Sequence, residues 1–72
     1  MTIVYKDIGR HKGNQVIDIV CPNDSSIDCV EALIANGARE FLMSREVTAT
    51  QYKNNKFKIY AGFRMVGEAE IV

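Results

Sequence analysis

Residues 45–65, REVTATQYKNNKFKIYAGFRM, decide the fold because they predict two strands joined by a tight reversal. Asn54 and Asn55 lie at the centre of this stretch. A two-residue hairpin loop requires a positive φ at both central positions, and asparagine tolerates that conformation better than most residues. We therefore predict antiparallel strands at about 45–53 and 56–65, with Lys53 opposite Lys56.

The register of this hairpin predicts which side chains share a face of the sheet. Counting outward from Lys53 and Lys56 places Tyr52 opposite Phe57, and alternate residues then lie on the same face. The face predicted to receive a helix carries four apolar residues: Phe57, Ile59, Ala61 and Phe63. The opposite face shows Tyr60 with two small apolar residues and a polar surround: Val47, Ala49, Arg45, Gln51, Lys58 and Arg64.

The N-terminal residues predict a second hairpin. Residues 2–7 are rich in β-branched and aromatic side chains, as strands usually are. Residues 9–14 form a polar stretch with a glycine near each end, which is typical of a loop. Residues 15–21 are apolar on both faces except for Asp18, as expected of an inner strand.

One helix follows this hairpin. Ser25 or Ser26 can cap its first N–H groups, and Gly37 predicts its end because glycine adopts the left-handed conformation that terminates helices. Apolar residues recur between them at helical spacing, at Ile27, Val30, Leu33 and Ile34. Residues 38–44 either extend this helix or begin the next strand. We favour the strand, since a glycine inside a helix costs about 1 kcal/mol.

A turn at Val66-Gly67 and a half-exposed strand at 68–71 complete the predicted elements. Their order is ββαβββ, or ββαββ with an extended tail. We predict an α+β fold with a single antiparallel β-sheet and one α-helix packed on one face. Residues 1–72 are predicted to form one small domain.

The composition is that of an ordinary globular protein, with 47% apolar residues, nine basic residues, nine acidic residues and no net charge. A domain of 72 residues buries only about 60% of the surface that its unfolded chain exposes, so self-association as a homodimer stays open. No run of about 18 apolar residues occurs, and we expect no membrane partner. Residues 1–7 lack the basic leader and apolar stretch of a signal peptide, so we expect a cytoplasmic protein in which Cys21 and Cys29 are small buried residues.

Catalysis has little support in the sequence. His11 is the only histidine, and nothing in the sequence brings it to Ser25, Ser26, Ser44 or a cysteine. A zinc site is equally poorly supported, because there is no Cys-x-x-Cys pair. We therefore expect a non-enzymatic protein with no cofactor and no metal.

Charge is segregated along the chain even though the total is zero. Residues 45–64 contain five basic residues and one acidic residue, whereas residues 13–44 contain one basic residue and five acidic ones. Such an asymmetry steers partners and sets their orientation. It also permits head-to-tail self-association.

The remaining function class is a protein-binding module. Exposed aromatic and arginine side chains are what binding hot spots contain, so the predicted partner-binding surface is Arg45, Val47, Lys58, Tyr60 and Arg64. A second predicted patch consists of Arg10, His11 and Lys12. The bland alternative is that Arg45, Lys58 and Arg64 only solvate an outer face, opposite Glu68 and Glu70.

The size class suggests a complete small gene product that modulates or inhibits a larger partner, as regulators and inhibitors of viral or mobile-element origin do. The alternative is a nucleic-acid-binding domain that uses the same basic residues together with Lys53 and Lys56. Against that alternative, strong nonspecific nucleic-acid binders are usually basic overall.

Overall fold

The computed structural model describes residues 1–20 and 26–72. The five strands are β1 (Thr2–Lys6), β2 (Asn14–Asp18), β3 (Val47–Lys53), β4 (Lys56–Ala61) and β5 (Arg64–Ile71), and the helix α1 spans Ile27–Ala38. The strands form one antiparallel sheet in the spatial order β2-β1-β5-β4-β3. The predicted α+β class and ββαβββ order are confirmed, and β1 lies between β2 and the C-terminal strand.

The buried core lies between one face of the sheet and α1. Its largest fully buried side chains come from the strands, the helix and the connection between β1 and β2: Ile3, Tyr5, Ile8, Ile34, Phe57 and Ile59. Phe57 and Ile59 thus point inward, as predicted. The helix also covers part of the β3 edge, because the Glu31 carboxylate accepts a hydrogen bond of 2.8 Å from the Gln51 backbone N–H.

The helix begins as predicted but ends later. Ser26 is its N-cap, and its hydroxyl accepts a hydrogen bond of 3.4 Å from the Cys29 N–H. Gly37 lies inside α1, so the prediction that it ends the helix is wrong. An added Cβ at Gly37 would collide with the Tyr5 hydroxyl oxygen, so the close approach of β1 explains why a glycine stands there.

The prediction of a strand within residues 38–44 is also wrong. After Ala38 the chain continues in turns, with a hydrogen bond of 3.0 Å from the Phe41 N–H to the Ala38 carbonyl. The next strand begins only at Val47. Phe41 and Leu42 pack against the core from this connecting segment.

The β3–β4 hairpin turns at the predicted residues, Asn54 and Asn55, but it has a different turn geometry and a different register. Lys53 pairs with Lys56, but Gln51 pairs with Phe57, so the predicted Tyr52–Phe57 pair is wrong. Tyr52 is an extra residue in β3, a β-bulge. Only Asn55 of the two turn residues has a positive φ, 59°, so the turn is not the one expected to match the twist of two regular strands.

The bulge exchanges the faces of β3. Val47 and Ala49 point into the core and are 4% and 8% exposed, whereas Thr48 and Thr50 are exposed. The predicted register would have buried the two hydroxyls, which costs free energy unless each finds a hydrogen-bond partner. The observed register buries the two apolar side chains instead.

The reversal predicted at Val66-Gly67 is displaced toward the N-terminus. The chain turns at Gly62-Phe63, where Gly62 has a φ of 64°, and Arg64 then pairs with Ala61. Gly67 lies inside β5, opposite Ile59. As a result Phe63, predicted to face the helix, is fully exposed at the tip of the β4–β5 hairpin.

Two further predictions concern the length of β2 and the burial of the cysteines. The predicted strand 15–21 is shorter in the structure, since β2 ends at Asp18. Cys29 is an exposed free thiol, so the prediction that it is buried is wrong. Cys21 and Ser25 lie outside the described residues.

Candidate partner-binding end

One end of the sheet collects three connecting segments, and we call it the loop end. It consists of residues 7–13 between β1 and β2, residues 39–46 between α1 and β3, and residues 62–63 between β4 and β5. The antiparallel strand order places all three together, because β1 and β4 finish at this end and β2, β3 and β5 start there.

Residues 7–13 are held in place by backbone hydrogen bonds. The Asp7 N–H donates to the Gly13 carbonyl at 3.0 Å, and the Gly13 N–H donates to Asp7 Oδ1 at 2.9 Å. The Gly9 N–H donates to the Val66 carbonyl at 2.8 Å and so attaches this loop to β5. The His11 ring packs edge-on against Phe41, with 5.4 Å between ring centroids.

Most of the predicted partner-binding residues belong to the loop end or to its border. Arg10, His11 and Lys12 lie in the first connecting segment, Arg45 lies in the second, and Arg64 begins β5. All five are exposed. The structure therefore brings Arg45 and Arg64 of the first predicted patch to the same end of the sheet as the second patch.

Val47 does not belong to this surface. It is buried in the core beneath α1, so its assignment as a partner-binding residue is wrong, and the bulge at Tyr52 is the cause. Ala49 is buried for the same reason. The predicted apolar centre around Tyr60 is therefore absent, and Tyr60 pairs across the sheet with Thr48 and Met65 instead.

The outer face of the sheet, which α1 leaves uncovered, is balanced in charge along β4 and β5. Lys58 pairs across strands with Glu68, and its Nζ lies 5.0 Å from the centroid of the Tyr52 ring. The Tyr52 hydroxyl donates to Glu68 Oε2 at 3.3 Å. Desolvation, followed by the charge of Glu68 and its hydrogen bond, raises the pKa of Tyr52.

Lys53 and Lys56, the residues of the nucleic-acid alternative, lie at the opposite end of the sheet from Arg10 and Arg64. Lys56 Nζ lies 3.6 Å from Glu70 Oε2, so its charge is matched locally. Since a strand advances about 3.3 Å per residue, the length of β4 separates the two basic groups by roughly 17 Å. Between them on the outer face lie Lys58 and, across from it, Glu68.

The most exposed aromatic residue of the loop end, Phe63, is one that the sequence interpretation placed in the core. Its side chain is fully exposed at the hairpin tip, and Met43 and Met65 are also exposed. The tip is anchored by a hydrogen bond of 2.8 Å from the Gly62 N–H to the Glu46 carbonyl. The signal that could have revealed it is Gly62, a glycine within a strand-like run, which often marks a bend.

The serines considered as nucleophiles have local roles in the backbone. The Ser26 hydroxyl caps α1, and the Ser44 hydroxyl accepts a hydrogen bond of 3.3 Å from the Glu46 N–H. Within residues 1–20 and 26–72, His, Cys, Asp and Glu form no group of three or more that could hold a metal ion. The same residues contain no helix with the length and apolarity needed to cross a bilayer.

No protein-family model, curated protein or solved structure matches this chain.

Proposed function

We propose that the chain is a non-enzymatic protein-binding module that docks its loop end onto a larger partner and thereby modulates or inhibits it. The observation that carries the proposal is Phe63, a fully exposed aromatic ring at a hairpin tip next to Arg64. Burying such a side chain is worth roughly 1.5–3 kcal/mol. Aromatic and arginine side chains are also the residues that most often dominate binding interfaces.

The backbone around Phe63 is already ordered, so binding costs little conformational entropy. The hairpin is paired along β4 and β5, and its tip is tied to residues 39–46 through Gly62 and Glu46. A prearranged loop loses little conformational entropy when it binds. Met43 and Met65 add exposed side chains that adapt their shape to a neighbouring surface.

The charges around Phe63 favour an acidic partner. The loop end and the first residue of β5 carry more basic than acidic side chains, namely Arg10, Lys12, Arg39, Arg45 and Arg64 against Asp7, Glu40 and Glu46, and the Glu46 carboxylate lies beside Gly62. Basic groups at the rim of an interface accelerate association with a negative surface and orient the complex. The exposed thiol of Cys29 is consistent with action in the reducing cytoplasm.

The nucleic-acid alternative has less support. Its basic residues are concentrated at the two ends of the sheet with Lys58 between them, and Glu68 and Glu70 lie directly across from Lys58 and Lys56. A phosphate backbone that followed the outer face would meet both carboxylates. Nonspecific binding of this kind depends on a continuous basic surface.

The test is a comparison of two matched variants. The full chain, Phe63→Ser and the control Val16→Ser are immobilised and used to capture proteins from the native host, and each captured protein is purified for a Kd measurement. Val16 is also exposed, but it lies on β2 away from the hairpin tip. We expect Phe63→Ser to weaken the complex at least tenfold and Val16→Ser to leave it unchanged. Equal affinities for all three proteins would overturn the proposal.

A further inference from the structure

A groove opens at the loop end because β5 extends further toward this end than its neighbour β1 does. The last pair between the two strands is Lys6 with Glu68, and the chain turns away at Asp7, which has a φ of 49°. Residues 64–67 of β5 therefore pair with β4 on one side and line a groove of about 750 Å³ on the other. That volume lies within the range of clefts that hold ligands.

The groove has one more positive than negative side chain. Its three cations are Lys6, Arg10 and Arg64. Its two carboxylates keep their charge while Asp7 accepts a hydrogen bond from the Gly13 N–H and Glu68 accepts one from the Tyr52 hydroxyl. In the part of the chain that the structure describes, the ion pair is Lys56–Glu70, and no groove cation takes part in one.

We infer that this groove binds an extended acidic segment of the partner. The inference rests on the proposed function and adds the chemistry of the ligand. Lys6 lies beside Glu68 at one end of the groove and Arg64 lies at the other end, and the four residue steps from Arg64 to Glu68 span roughly 13 Å. A single phosphate cannot reach both ends, whereas about four residues of extended peptide can.

The groove runs along β5 beyond the last residue of β1. Ile8 packs against Gly67 and the Gly9 N–H donates to the Val66 carbonyl, so a peptide can add to the sheet edge only at Arg64 and Met65. Met65 offers an apolar contact within the groove, and Arg10 and Arg64 can each make bidentate hydrogen bonds to a carboxylate.

The test uses the full chain and three defined probes. The probes are an acetylated, amidated hexapeptide of alternating Glu and Val, the same peptide with Gln for Glu, and inorganic phosphate. Backbone NMR shifts are followed during titration at low and at physiological salt. We expect the Glu peptide to shift the amides of residues 6–10 and 64–68 saturably, and the Gln peptide and phosphate to bind at least tenfold more weakly.

Charge variants complete the experiment. Lys6→Gln combined with Arg10→Gln should lower the affinity for the Glu peptide at least tenfold, and the control Lys53→Gln should leave it unchanged. Equal binding of the Gln peptide, equal binding of phosphate, shifts centred on Lys53, or no binding of the Glu peptide would each overturn the inference. A host partner lost with Phe63→Ser but retained by the Lys6/Arg10 variant would overturn the acidic groove ligand and leave the proposed function intact.

Discussion

The Tyr5 hydroxyl donates a hydrogen bond of 2.7 Å to the carbonyl oxygen of Ile34 and so joins β1 to α1 across the buried core. The ring passes beside Gly37, one turn further along the helix, where a side chain would collide with the hydroxyl. This contact explains why a glycine occupies a position inside the helix where helix propensity alone favours alanine.

Replacing Gly37 with alanine tests this packing. Helix propensity alone predicts that the free energy of unfolding rises by about 1 kcal/mol, whereas the collision with Tyr5 predicts that it falls by about 1–3 kcal/mol, as in other overpacked cores. We expect urea denaturation to show the loss. The double variant Tyr5→Phe/Gly37→Ala should recover part of it, because the colliding hydroxyl is gone. A more stable Gly37→Ala protein would show that Tyr5 does not restrict this site.

The pH dependence of stability tests the burial of Tyr5. Burial, followed by the Glu40 charge, raises the pKa of the Tyr5 phenol above its ordinary value of 10.0. The unfolded chain therefore loses this proton at a lower pH than the folded chain. The contribution of the Tyr5 phenol to the free energy of unfolding is complete below about pH 10 and declines as the pH rises further. Urea midpoints between pH 8 and pH 11 should fall more steeply for the natural chain than for Tyr5→Phe. Tyr60→Phe, on the outer face, should keep the steep decline, and identical slopes for all three proteins would exclude a role for Tyr5.

The register of β3 is tested by two neighbouring substitutions. Val47 is buried and Thr48 is exposed, so Val47→Ala should destabilise the fold by about 1–3 kcal/mol while Thr48→Ala stays within about 0.5 kcal/mol. Thermal or urea unfolding of the two variants measures this difference. The register predicted from the sequence requires the opposite order, so a larger effect at Thr48 would contradict the bulge at Tyr52.

The sequence predicted those elements whose signals are local. Asn54 and Asn55 marked the hairpin turn, Ser26 was one of two predicted caps, and Phe57 and Ile59 were assigned to the core. Each rests on a short stretch of residues and on one principle. The element order follows from these signals, and with it the α+β class.

The errors arise where distant contacts decide between local alternatives. Gly37 was predicted as a helix end because glycine often terminates helices. The contact with Tyr5 that explains this glycine joins residues far apart in the sequence. The bulge at Tyr52 depends on which face of β3 the rest of the core covers, and it moved Val47 inward. Two glycines could have marked the last turn, and Gly62, rather than Gly67, has the required positive φ.

The candidate site shows the same division. The basic residues were identified from composition, but only the strand order brings Arg10 and Arg64 to one end. Phe63 was assigned to the core because the turn was placed four residues too late. An exposed aromatic ring at a hairpin tip is therefore information that only the structure supplied.

The most direct measurement follows the environment of residue 63 itself during binding. The chain contains no tryptophan, so Phe63→Trp provides a single fluorescent reporter at the hairpin tip. We predict emission typical of an exposed indole in the free protein and a blue shift that saturates as purified partner protein without tryptophan is added. Emission that stays unshifted while the partner demonstrably binds would mean that the hairpin tip remains in water, and would contradict docking through the loop end.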